Sequence, residues 1–251
     1  MRYLDDPPLA FAHRGGAATG DENTAAAFGR AVNLGYRYLE TDVHATVDGV
    51  SVVFHDRSLA RMTGRRDRVA DVRWADLATV RVAGAAAVPR LDEVLDAWPE
   101  ARFNIDVKAN RAVGPTIDAV RRTGAQPRVL LASFSDARLA AMRAELGDTV
   151  VTSLGTREVA RLWWASRTGR RRVEVPPSVV AVQVPVRYRG IRVVDRRFVR
   201  YTHELGLQVH VWTVDDPAVM HELLDLGVDG IMTDHLEVLR DVYLERGHWP
   251  G

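Results

Sequence analysis

Four short stretches carry side chains that can move protons, hold a cation or grip an anion. They are "AFAHRGG" (10–16) with His13 and Arg14, "LETDVH" (39–44) with Glu40, Asp42 and His44, "VVFHD" (52–56) with His55, and "FNIDVK" (103–108) with Asp106 and Lys108. Along an extended chain residues i and i+2 face the same way. Glu40, Asp42 and His44 therefore share a face, and Asp106 shares one with Lys108. Buried neighbouring carboxylates repel each other and are costly to desolvate unless a cation or strong donors compensate. With no cysteine in the chain, this set of hard oxygens suits one divalent cation, Mg²⁺ or Ca²⁺, with Mn²⁺ also admitted. Two histidines, three carboxylates, an arginine and a lysine on one rim amount to an acid/base pair, a cation site and an anion clamp. That combination suits displacement at a phosphodiester, where positive charge stabilises the transition state and histidines move protons.

The elements that must bring these groups together are short apolar runs alternating with amphipathic stretches. Strand-like runs lie at 8–13, 36–43, 51–56, 102–108, 128–134, 148–154, 179–185, 207–214 and 227–234. Most are rich in Val, Ile and Leu without clean alternation, as in parallel strands covered on both faces. Helical spacing predicts helices over 23–34, stopped by Gly35, over 135–146 with Ser135 as cap, and after Asp216 with Pro217 at the first position. This rhythm over 251 residues predicts a single-domain α/β fold, a TIM (β/α)₈ barrel spanning 1–251, with its active site at the C-terminal rim of the strands. An open doubly wound sheet is the competing architecture that periodicity alone leaves open. Residues 57–90 read as a modest elaborated connection near that rim, and the arginine-rich 166–177 as a solvated loop.

Hydrophobic content of 47% and charged content of 27% are those of an ordinary globular protein. A net charge of +1 argues against a general grip on nucleic acid. The absence of cysteine excludes a disulfide framework and thiolate metal sites. No run has the length to span a bilayer, so no stable membrane insertion is expected and the expected location is cytoplasmic. The oligomeric state is left open.

The order of the motifs resembles that of the glycerophosphodiester phosphodiesterases. "HRGG", "DENT" (21–24), "LETDV", "TVDGVSVVFHD", "VPRLDEVL" (88–95), "NIDVK", "VWTVDD" (211–216) and "GVDGIMTD" (227–234) follow one another over nearly the whole chain. The resemblance implies a TIM barrel and metal-dependent hydrolysis of glycerophosphodiesters to sn-glycerol 3-phosphate and an alcohol. It implies His13 and His55 as acid and base, Glu40, Asp42 and Asp106 as metal ligands, and Arg14 and Lys108 as phosphate contacts. Trp212 is implied as a rim wall against the small-molecule substrate. Two positions depart from the family pattern: Asp106 stands where Glu is more usual, and Asp21 where a proline is. A lysophospholipase D-like or cyclising activity on lysophospholipids is the nearest alternative. An inactive phosphodiester-binding barrel is the alternative of another class, and the presence of both histidines weighs against it.

The remaining candidates read more plainly. His44 lies on the ligand face but reads as outside the site, and Gln183 is a candidate hydroxyl contact. Asp234 in "MTDH" reads as a cap or turn residue, and His210 as a hydrogen-bonded interior histidine. His203, His221, His235 and His248 read as exposed. The Trp163–Trp164 pair reads as helix packing, with a lipid or partner surface as its use if exposed.

Overall fold

The architecture was taken from a computed structural model that describes residues 3–168 and 173–249. In chain order its strands are β1 (Leu9–Ala12), β2 (Tyr38–Ala45), β3 (Ser51–Val53), β4 (Arg81–Val82), β5 (Ala86–Ala87), β6 (Arg102–Val107) and β7 (Val129–Ala132). They continue with β8 (Val151–Ser153), β9 (Val179–Pro185), β10 (Arg187–Tyr188), β11 (Ile191–Arg192), β12 (Gln208–Trp212) and β13 (Gly230–Thr233). The α-helices are α1 (Ala25–Asn33), α2 (Ala60–Thr63), α3 (Trp74–Leu77), α4 (Leu91–Ala97), α5 (Val113–Arg122), α6 (Asp136–Leu146), α7 (Thr156–Thr168), α8 (Arg196–Glu204), α9 (Pro217–Asp225) and α10 (Leu236–Glu245).

Strands β1, β2, β6, β7, β8, β9, β12 and β13 pair in parallel in that order, and β13 returns to β1 to close an eight-stranded barrel. The fold is a single-domain TIM barrel, and closure removes the open-sheet alternative. Thr24, Ser135, Asp195 and Asp216 cap α1, α6, α8 and α9 through their side chains, each satisfying a helix-end N–H. Among the described residues no helix is long and apolar enough to cross a membrane. Of the arginine-rich 166–177, expected as a loop, residues 169–172 lie outside the described residues, while 166–168 belong to α7.

Period-two alternation explains why the barrel wall is apolar while its rim is charged. Outward residues such as Leu39, Val43, Phe103, Ile105, Leu131 and Val209 join the main core shared with the helices. Inward residues near the strand starts, including Leu9, Phe11, Tyr38, Leu130 and Ala181, form a second apolar cluster. Two and four residues beyond Tyr38 the same inner face carries Glu40 and Asp42, in register with Asn104 and Asp106 of β6. At about 3.3 Å per residue, two steps up the strand separate the apolar floor from the polar rim.

The run at 51–56 differs from its expected role. Only Ser51–Val53 is a strand, and it runs antiparallel to β2 instead of joining the barrel. β2 overshoots the rim to Ala45, and a tight turn at Asp48–Gly49, with Gly49 at φ 80°, sends the chain back down. An Asp-Gly pair is a hairpin signal for this reason. Val53 pairs with Val43, and Phe54 N–H donates to the Asp42 carbonyl at 2.9 Å, which returns His55 to the level of the ligand face. Residues 57–90 then form the connection to α4, with Leu59, Val69, Leu77, Val82 and Val88 in a small core of their own.

Candidate active site

His13 sits where β1 ends, in a short 3₁₀ turn whose next three residues all have positive φ: Arg14 at 53°, Gly15 at 79° and Gly16 at 92°. Glycine is required for space as well as for φ. A Cβ on Gly15 would come within 2.9 Å of Ala27, and one on Gly16 within 2.7 Å of Leu236. The turn aims the Arg14 N–H at Glu40 Oε2 (3.0 Å) and brings His13 Nε2 within 3.8 Å of that oxygen. On its other side His13 Nδ1 bonds Asp234 Oδ1 at 2.6 Å. Burial pulls the His13 pKa down, but the carboxylates of Glu40 and Asp234 outweigh it and hold it above the ordinary imidazole value.

His55 has the same kind of partner, its Nδ1 lying 2.7 Å from Asp56 Oδ1. Arg61 of α2 holds Asp56 with Nε and Nη2, at 2.8 and 3.1 Å. Those bonds, together with the His55 ring, lower the Asp56 pKa to about 2 against the cost of its partial burial. Arg61 also donates to Glu22 at 2.7 and 2.9 Å, and Glu22 accepts a third bond from Arg14 at 2.9 Å. His44 does not line the cavity: it is buried, with Nε2 donating to the His55 carbonyl at 3.1 Å. Burial lowers its pKa.

The three carboxylates are buried, with Glu40 5%, Asp42 1% and Asp106 8% exposed. Lys108, the only lysine in the chain, places Nζ 2.7 Å from Asp42 Oδ1 and 2.6 Å from Asp106 Oδ2. Burial opposes its charge, but the two carboxylates prevail and raise its pKa. Burial also works against Asp42, yet Lys108 and Arg14 keep its pKa low. Asn23 donates to Asp42 at 3.0 Å, and its carbonyl accepts from the Thr41 hydroxyl at 2.8 Å. Arg14 Nε lies 3.2 Å from Asp42 Oδ2 without hydrogen-bond alignment. Glu40 has less help: burial, then the charge of Asp42, raises its pKa to about 7. Burial likewise raises Asp106, whose Oδ1 is buried without a partner.

Among the described residues no three acidic or histidine side chains stand together at metal-ligand spacing, and the Lys108 ammonium lies between Asp42 and Asp106. The donor set itself fits a hard cation. One buried carboxylate oxygen is orphaned, and a neighbouring carboxyl is short of positive charge.

His13, Arg14, Glu40, Asp42, His55, Asp106, Lys108 and Trp212 all line one cavity of about 740 Å³ at the C-terminal mouth of the barrel. Gln183 lines it too, exchanging amide hydrogen bonds with Asn104 across the barrel at 3.1 and 3.4 Å. His210 is fully buried, its pKa lowered by burial to about 3. Asp234 is more than the expected turn residue, since it holds His13. Asp56 and Arg61 are not among the residues that the motifs single out. For Asp56 a signal exists in its adjacency to His55. For Asp234 and Arg61 the contacts span 221 and 39 residues.

A model of the glycerophosphoryl diester phosphodiesterase family matches residues 13–238. A Mycobacterium tuberculosis protein named "Probable glycerophosphodiester phosphodiesterase 2" is 41% identical over 246 residues, covering 97% of this chain and 93% of its own. The human protein named Lysophospholipase D GDPD1 is 26% identical over 266 residues, covering 91% and 84%. The structure of an Oleispira antarctica phosphodiesterase in complex with the product sn-glycerol-3-phosphate superposes with a TM-score of 0.78 at 19% identity, covering 94% of this chain and 96% of that one.

Proposed function

The chain belongs to the glycerophosphoryl diester phosphodiesterase family and is a phosphoric diester hydrolase, and on that premise we propose that it hydrolyses glycerophosphodiesters to sn-glycerol 3-phosphate and an alcohol through paired histidines. One observation carries the reading. His13 and His55 are each held at Nδ1 by an aspartate, and both line the cavity that holds Lys108 and Arg14. An aspartate on Nδ1 fixes the tautomer, leaving Nε2 for proton transfer, and stabilises the imidazolium that forms.

In this reading one imidazole takes a proton from the attacking oxygen as that oxygen bonds to phosphorus. The other gives a proton to the alcohol oxygen as its P–O bond breaks. The attacking oxygen belongs to water or to the neighbouring glycerol hydroxyl; in the second case a cyclic phosphate forms and water opens it in a further step. Arg14 and Lys108 supply positive charge to the phosphate oxygens, and Trp212 forms a wall for the glycerol or alcohol moiety. Glu40, Asp42 and Asp106 would hold a divalent cation, Mg²⁺ or Ca²⁺, with Mn²⁺ an acceptable substitute. When bound, that cation supplies charge neutralisation and polarises a phosphoryl oxygen. The unit that does this is residues 1–251 taken as one domain.

The test is a product assay on a panel of glycerophosphodiesters, with and without chelator, using the wild type and His13→Ala and His55→Ala. Release of glycerol 3-phosphate by the wild type alone is the expected result. Release of glycerol as the sole product, or undiminished turnover by both variants, would remove the reading.

A further inference from the structure

The rim of the barrel is chemically divided. Strands β1, β2 and β6, the β3 return and the end of β13 supply its charged half. The connections after β7, β8 and β9 supply an apolar lip. Six large hydrophobic side chains are exposed among the described residues, and four of them, Phe134, Trp164, Tyr188 and Ile191, stand on this lip at 54–64% exposure. Scattered exposed apolar residues are ordinary, whereas a gathered patch marks an interaction surface.

The charges carried by the lip are almost all of one sign. The β10–β11 hairpin runs Arg-Tyr-Arg-Gly-Ile-Arg (187–192), three arginines and no acid. Helix α7 has three arginines against one glutamate, and that glutamate, Glu158, is bound by Arg143 of α6. The whole chain has a net charge of only +1, so positive charge is concentrated here and offset elsewhere. In the hairpin Tyr188 faces Ile191 as one cross-strand pair and Arg187 faces Arg192 as the next. Apolar and cationic side chains therefore take opposite faces of a narrow ribbon, and its tight turn, Arg189 at φ 48° and Gly190 at φ 82°, puts a third arginine at the tip. Like charges directly opposite destabilise such a ribbon. Glu222 neutralises Arg192. Among the described residues Arg187 bonds only the Gly190 carbonyl, at 3.3 Å, and Arg189 lies 5.5 Å from the Tyr188 ring centroid without a carboxylate partner.

From this combination we propose that the lip is a docking surface for an anionic lipid bilayer, bound peripherally, with the mouth of the barrel held against the head groups. Tryptophan and tyrosine settle at the membrane–water interface. An amphipathic element with arginines beside its apolar face adds attraction for anionic lipid to apolar burial. Arginine also suits phosphate, which it can grip through two N–H groups at once. Charge selects this occupant over a second copy of the chain. A two-fold contact sets the same patch on both sides, so the arginines of the lip would meet their own kind. The docking residues are separate from the groups assigned to catalysis, and the proposal stands whichever phosphodiester the site cleaves.

The test is co-sedimentation of the full chain with vesicles of phosphatidylcholine alone or of an equal mixture with phosphatidylglycerol. Binding to the mixed vesicles, weakened by added salt, with little binding to phosphatidylcholine alone, is the expected result. That comparison uses the wild type and needs no variant. Arg187→Gln and Arg189→Asn should each lower the partition coefficient about fivefold, the contribution of one basic residue near an anionic surface. Trp164→Ser and Ile191→Asp should each lower it roughly tenfold or more, the loss of one partly buried apolar side chain. All four positions are exposed, so the melting temperature should stay at that of the wild type. Equal binding to both vesicle types, or binding to neither, overturns the proposal. Variants that bind mixed vesicles as the wild type does move the contact off the lip and also overturn it. So does a wild-type dimer in solution that Ile191→Asp dissociates, which would give the lip to a second copy.

Discussion

Arg61 grips Asp56 through two hydrogen bonds, Nε to Oδ2 at 2.8 Å and Nη2 to Oδ1 at 3.1 Å, while Asp56 holds His55. The same guanidinium is tied to Glu22, and Glu22 to Arg14. A residue of the elaborated connection thus links the His55 side of the cavity to the Arg14 side without lining the cavity itself.

The first prediction is that Arg61 positions His55. Arg61→Gln should fold, since the side chain is half-exposed, yet lose up to about 100-fold in kcat, the scale of a misplaced reacting group. KM should change much less. Arg61→Lys should recover part of the rate, because a point charge keeps Asp56 ionised but cannot reproduce the two-point grip. Equal losses in kcat and KM for both variants would show a binding role in place of a positioning one.

Much of the barrel and its rim is legible in the residues themselves. The parallel strands read as apolar runs, and period two puts Glu40 with Asp42 and Asp106 with Lys108 on shared faces. Those are local properties, and the barrel preserves them. Relationships created by closure and by loops have no such local signature. Asp234 meets His13 because the last strand pairs with the first, and no local pattern distinguishes it from a turn aspartate. The antiparallel course of β3 is signalled by Asp48–Gly49, but the apolar content of 51–56 outweighs that signal. The division of the rim into charged and apolar halves depends on which loops are neighbours in the ring.

The second prediction concerns His210 and acid. The imidazole is enclosed in the barrel, packed 4.8 Å from the Phe11 ring and bonded to Gln208 at 3.0 Å. Burial depresses its pKa from 6.5 to about 3. The folded protein therefore resists a proton that the unfolded chain accepts. This contribution is fully present above pH 6.5 and is lost as pH falls from there toward 3. Chemical denaturation between about pH 7 and pH 4 should show the wild type losing stability relative to His210→Gln as pH falls. Parallel slopes for the two proteins would assign the acid sensitivity elsewhere.

The third prediction concerns the cation. Because the Glu40 pKa is raised from an ordinary 4.5 to about 7, the metal-free fold loses stability as pH rises through that window and the carboxyl ionises. A divalent cation should reverse this. At about 100 times its Kd it should add roughly 2.7 kcal/mol to unfolding free energy, and the gain should increase from about pH 5 to pH 7. Thermal unfolding with Mg²⁺, Ca²⁺ or chelator reads the effect without any substrate. Glu40→Gln should remove most of the gain, and chelator should abolish phosphodiesterase activity in the wild type. An identical melting temperature with and without each metal at both pH values would take these carboxylates out of the cation site.

The fourth prediction concerns the two histidines. If one imidazole accepts a proton and the other donates one, the productive enzyme holds one neutral and one protonated ring, so kcat/KM should be bell-shaped in pH. His13→Ala and His55→Ala should each lose about 10²–10⁴ in rate. Asp234→Asn should mimic much of the first loss, because an amide no longer stabilises the imidazolium and favours the wrong tautomer. It should also move the His13 limb to lower pH, since the Asp234 carboxylate is one of the charges that raise that imidazole. A p-nitrophenyl diester separates the two roles. Its leaving group departs without a proton, so the variant lacking the acid should be rescued in part while the variant lacking the base is not. Rescue confined to one of the two variants identifies the acid. Equal rescue of both, or none of either with binding intact, would mean that the histidines do not divide the work in this way.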